Sequence, residues 1–224
     1  MASPLPLLVW LSPSFPVGSF AYSHGLEWAH EAGEVKDLAS LREWLADLLG
    51  HGAARSDAVL FAETYRAAGT GQPERLFAVA ELALALASSS ERLLETTTQG
   101  NAFLHAIAKA WPCEAVDVFR RQWTEAVAYP VAVGVAAVGH RIALRDALPA
   151  FSLSHITNLV SAAVRLGVVG QTDGQRVIAA LIPAVEELSR FAESSTLEDL
   201  GGAAFRSDLA ALRHQTQYTR LFRS

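Results

Sequence analysis

Cysteine occurs once in the 224 residues, at Cys113. No disulfide can close within the chain, and such usage fits a reducing compartment. Charge is sparse: 18% of residues carry one, and the formal net charge is -5. The chain therefore offers no basic field, and no nucleic-acid partner is expected. No apolar run approaches the ~20 residues that a bilayer span requires. The longest stretch of low polarity, 126–139, is broken by Tyr129, Pro130 and two glycines. The apolar stretch 5–11 contains Pro6 and lacks the basic flank and cleavage site of a secretory signal. A cytoplasmic protein without membrane contact is the expectation. Catalytic signatures are missing too. There is no G-x-x-x-x-G-K-[ST] phosphate loop, no C-x-x-C, no G-x-S-x-G, and no pair of histidines four apart on a helix. No cofactor and no tight metal site within one protomer are expected.

What is present is apolar and helical. Hydrophobic residues make up 51% of the chain, enough for a sizeable core and a hint of buried inter-subunit surface. Apolar residues recur at helical spacing nearly throughout, as in Leu41, Trp44, Leu45, Leu48 and Leu49. Three S/T-x-x-E/Q patterns read as capping boxes: Ser40 with Glu43, Ser88 with Glu91, and Thr172 with Gln175. Asp57 reads as the cap of a further helix, and Pro73 suits a first helical position. The segment 144–149 reads as a junction before a long helix ending near Leu166. A last short helix, Ser207 to about Gln215, follows Gly201-Gly202. No strand period, repeat or linker interrupts the pattern. The expectation is one all-α, bundle-like domain, 1–224, of roughly nine or ten helices.

Three stretches depart from ordinary helix chemistry. In "SFPVGSFAYSHGLE", Ser19 reads as an N-cap. The helix it opens then holds Phe20, Tyr22, Ser23, His24 and Gly25, all middling or poor helix formers. On that helix Phe20, His24 and Glu27 would share a face. Such a break with local propensity marks either a partner surface or close packing. In "VRLGVVGQTDGQR", Arg165, Gln171 and Asp173 gather at one helix junction. The third stretch is the tail, 206–224, with four Arg against one Asp. An added turn would place Tyr218, Leu221 and Phe222 on one face beside Arg220 and Arg223. So short a helix is marginal alone, so the tail reads as mobile until it docks on a partner. A hydrolase or metal-binding enzyme built round His24, Glu27 and Asp173 is the rival reading.

Together with "YPVAVG" at 129–134, these stretches resemble the urease accessory protein UreF family. Four motifs in family order span residues 8 to 224. The resemblance implies an all-α, non-enzymatic chaperone of nickel urease maturation. It implies a homodimer that bridges UreD (also called UreH) and the nickel-binding GTPase UreG, with regulation of that GTPase, so that nickel is inserted into the urease apoprotein. Phe20, His24, Glu27, Arg165, Gln171, Asp173, Tyr218, Arg220, Leu221, Phe222 and Arg223 are the expected partner-binding residues. The family often carries a His before "YPVAVG". Here that position is Ala128, which removes that side chain from metal handling.

Overall fold

The computed structural model describes residues 3–224. Among them lie eleven α-helices, two 3-10 turns and no strand. In order these are α1 (Leu5–Trp10), a 3-10 turn (Ser19–Ala21), α2 (Leu26–Glu31), α3 (Leu38–His51), α4 (Ala53–Gly69) and α5 (Pro73–Ala85). Then come α6 (Ser90–Ala110), α7 (Glu114–Gln122), α8 (Tyr129–Gly139), α9 (Leu144–Arg165), α10 (Gln171–Ser194), a second 3-10 turn (Leu197–Asp199) and α11 (Phe205–His214).

Helix α8 is the axis of the fold. Every residue from Pro130 to Ala137 is buried, as befits a helix that is apolar all round. Helices α4, α6 and α7 pack around it. The approach to α6 is very close: a Cβ on Gly100 would stand 2.0 Å from the Val127 carbonyl oxygen. Only glycine fits there. Helices α9 and α10 form the longest antiparallel contact, and α10 also covers α3 and α4. Helix α9 is the one described helix long and apolar enough to cross a membrane. Its Phe151, Ile156 and Leu159 are buried against its neighbours, which is how a core helix behaves. Short α1 is pinned by Trp10, fully buried and edge-on to Phe103 and Trp111.

The all-α single domain is as the periodicity predicts; helix starts are where the structure differs. Helix α3 begins three residues early. Asp37 is its cap, accepting the Ser40 N–H at 2.9 Å, and Ser40 returns the bond as the third helical residue. Ser89, not Ser88, caps α6. Helix α10 starts at Gln171 behind Gly170, so Thr172 caps nothing. Helix α4 starts at Ala53, which puts Asp57 inside it rather than at its cap. Helix α9 already starts at Leu144 and carries Pro149 within it. At α3 and α6 neighbouring polar residues compete for the cap and one is selected, whereas α4, α9 and α10 start behind Gly52, Ala143 and Gly170 with no side-chain cap.

Candidate functional site

The N-terminal signature does not form one helix. A 3-10 turn covers Ser19–Ala21, Tyr22 is extended, and His24 and Gly25 both adopt positive φ, 55° and 76°. Helix α2 starts only at Leu26. Phe20, His24 and Glu27 therefore do not share a helix face, contrary to the spacing argument. The cause is close packing: a Cβ on Gly25 would lie 2.6 Å from the Ala211 amide nitrogen of α11. Positive φ at a histidine is strained, at a cost of about 1–3 kcal/mol. That strain turns the His24 ring inward, where it is buried.

Inside, His24 meets the polar stripe of α6. Arg92, Glu95, Thr96 and Gln99 face inward, continuing the apolar face of Phe103 and Ile107. The first half of α6 is thus inside out, with Leu93 and Leu94 turned to solvent, Leu94 56% exposed. Glu95 sits at the centre. Its Oε1 lies 2.7 Å from His24 Nε2 and accepts from Gln99 Nε2 at 2.9 Å. Its Oε2 accepts from Arg92 at 2.7 Å and from the Ser224 hydroxyl at 3.0 Å. Arg92 also reaches Asp57 at 3.5 Å. Burial alone would raise the Glu95 carboxyl. His24 and Arg92 outweigh it and hold the group well below the usual carboxylate range. Burial and Arg92 keep His24 lowered and neutral against the pull of Glu95. Burial pushes Asp57 up to about 6, with Arg92 opposing.

These groups wall a chamber of about 80 Å³ whose lining also includes His155, Tyr129 and Phe151. His155 stands edge-on to His24, with ring centroids 4.5 Å apart. Burial, with the Arg92 charge adding to it, holds His155 well below the ordinary imidazole value. Glu95 fixes the Nε2–H tautomer of His24. His24 Nδ1 and His155 Nε2 are buried with no hydrogen-bond partner in the protein. Among the described residues no group of three or more His, Cys, Asp and Glu is placed to hold a metal ion.

The tail docks beside this site on its own body, where its sequence reads as a mobile segment. Residues 215–224 make no further helical turn. They cross the N-terminal signature as an extended strap, hereafter the strap. Glu27 accepts the Leu221 N–H at 2.6 Å and the Phe222 N–H at 2.9 Å. Arg223 N–H donates to the Ala21 carbonyl, and Ser23 donates both N–H and hydroxyl to the Ser224 main-chain oxygen. Phe222 is only 3% exposed and lies under the Arg165 guanidinium at 4.3 Å. Arg165 also donates to the Phe20 carbonyl. Arg220 pairs with Glu91 at 2.8 Å.

The expected site residues thus divide. His24, Glu27, Arg165, Arg220 and Phe222 are brought together, His24, Glu27 and Phe222 buried and the two arginines exposed over them. Phe20, Tyr218, Leu221 and Arg223 are exposed around them. Gln171 is exposed at the start of α10, and Asp173 pairs with Arg176 at 2.7 Å, apart from the chamber. His24, Glu27 and Asp173 do not converge, which corrects the rival enzyme geometry: His24 faces Glu95, Glu27 faces His214, and Asp173 faces solvent. Sequence reasoning missed Asp57, Glu91, Arg92, Glu95, His155 and His214. The one available signal was Arg92, Glu95, Gln99 and Phe103 lying at the spacing of a core face.

A family model for UreF matches residues 35–182. The chain is 54% identical over 220 residues to the urease accessory protein UreF of Xanthobacter autotrophicus, covering 98% of this chain and 90% of that one. It is 53% identical over 220 residues to the protein of that name from a Methylobacterium species, covering 98% and 88%. The chain belongs to the UreF family. The strap, the signature and the chamber are therefore features of a UreF-family helical domain.

Proposed function

We propose that this protein is a non-enzymatic scaffold of urease maturation, working in the cytoplasm as a homodimer. In this reading it bridges UreD (UreH) and the GTPase UreG, and the assembly inserts nickel into the urease apoprotein with GTP. Regulation of the UreG GTPase belongs to the same reading. Family membership over nearly the whole chain supports it. The observation that carries the choice of surface is the strap. Its main chain is fixed to the body, yet Tyr218 is fully exposed and Leu221 is 62% exposed. An exposed aromatic and an exposed leucine on a rigid ledge, beside Arg223, form the composition of a binding hot spot. Phe20, 62% exposed across the same junction, extends it. Glu27 holds the ledge from below through the Leu221 and Phe222 amides, and Arg165 covers Phe222 from outside.

Co-purification tests this reading. Tagged protein expressed with UreD, UreG and urease structural subunits should retain both accessory partners and yield active, nickel-loaded urease. The Tyr218→Ala, Leu221→Ala double variant should keep its helical circular dichroism and lose one partner at least tenfold. Retention of both partners by that variant would move the surface elsewhere. Failure of the parent chain to retain either would end the scaffold reading.

A further inference from the structure

His214, the last residue of α11, is fully buried and contacts two carboxylates at once. Nδ1 lies 2.9 Å from Glu91 Oε2, and Nε2 lies 3.1 Å from Glu27 Oε2. A neutral imidazole has a single N–H. One of these contacts would then press a lone pair against a carboxylate oxygen. A proton on Glu27 Oε2 would compete with the Phe222 N–H, and a proton on Glu91 Oε2 would leave a neutral acid facing the Arg220 guanidinium and sit on a weaker base than imidazole. Glu27 takes the Leu221 and Phe222 N–H groups, and Glu91 takes Arg220. With both carboxylates ionised, the hydrogen-bond count closes when both ring nitrogens donate.

We infer that His214 is held as an imidazolium, and that this one proton latches the strap to the body. The charges facing it come from every neighbouring element. Helix α2 supplies Glu27, with Glu31 holding Gln217 at 2.6 Å. Helix α6 supplies Glu91, with Arg92 next to it and Glu95 a turn further on. The strap supplies Arg220 and Arg223, and α11 itself Asp208 and Arg213. Within the immediate clamp, two carboxylates balance Arg220 and the imidazolium. When the ring gives a proton to solvent base, the clamp becomes a buried net negative charge with one lone pair facing a carboxylate. Glu27 then loses the partner that orients it toward the Leu221 and Phe222 amides. Release of the strap also withdraws the Ser224 hydroxyl from Glu95, a residue that lines the chamber. The latch holds at low pH and opens as pH rises. It concerns the chain alone and does not depend on the scaffold reading.

Nitrogen-15 NMR of the purified full chain, with amide hydrogen exchange, tests the latch. Expected is a His214 ring protonated at both nitrogens while the Leu221 and Phe222 amides are protected. Raising pH should remove one ring proton and lower amide protection at least tenfold, with one shared midpoint, after correction for the base-catalysed intrinsic rate. In Glu91→Gln the side-chain amide can donate to a neutral ring, so strap protection should persist to higher pH. A singly protonated ring beneath a protected strap overturns the inference. So does loss of protection at a midpoint different from that of the ring, and the wild-type measurement decides even where a variant fails to fold.

Discussion

Asp57 shows what a single buried group does to this domain. It lies within α4 and points at Arg92 across the chamber. Its folded value of about 6 stands above the ordinary 3.8. A carboxyl raised in this way stabilises the fold fully below its unfolded value, and that contribution is lost as pH rises through about 6. Asp57→Asn removes the titration. The stability of the variant relative to the parent should therefore increase between pH 4 and pH 8. A two-unit shift sets an upper limit of ~3 kcal/mol, discounted because the side chain is 22% exposed. Urea unfolding at the two pH values measures this, and an equal difference at both would show that Asp57 does not titrate in the fold. Glu63 is the contrasting case. It too is buried, but hydrogen bonds from Arg75 and Arg66 overcome that burial and lower its value.

The strap is the element whose reading changed most. Its sequence, aromatic and Arg-rich beyond the last helix, is that of a free docking segment. The features that tie it down lie elsewhere: Glu27 on α2, Glu91 on α6, Arg165 on α9. No local pattern announces a carboxylate that will accept two main-chain N–H groups from residues nearly two hundred positions away. The same reason hid the inward stripe of α6, where Arg92 and Glu95 sit at core positions and only their partners justify them. Helix existence and the central place of 129–139 were legible, because apolar periodicity is written locally. Cap identity was legible only to within a few residues. Deletion of 215–224 removes buried Phe222 and strands Glu27 without its amide donors. Truncating a buried Phe alone costs about 3–5 kcal/mol, so the thermal midpoint should fall by ~10 °C or more. Calorimetry of the truncated chain checks this; an unchanged midpoint would mean that the strap adds nothing to the fold.

At the scale of the whole molecule, apolar side chains remain uncovered after the core is filled. Leu5, Leu8 and Val9 of α1 and Phe205, Leu209 and Leu212 of α11 are exposed. A chain so placed is expected to associate, and the proposed homodimer would bury on the order of 2,000 Å². Light scattering across the micromolar range should return twice the chain mass; a monomer throughout would remove the dimer from the proposal. One feature bears on how the molecule is made. Ser23 bonds the main chain of Ser224, a separation of 201 residues. At about 5–20 residues per second, translation from one to the other takes roughly 10–40 s. For that interval the nascent signature has its Glu27 carboxylate but neither the α11 surface that Gly25 packs on nor the strap amides that Glu27 accepts. Its closure therefore waits until the strap has been made. Any chain that stops short of the strap leaves Glu27 without two donors and Glu95 without one, buried carboxylates that a complete chain satisfies.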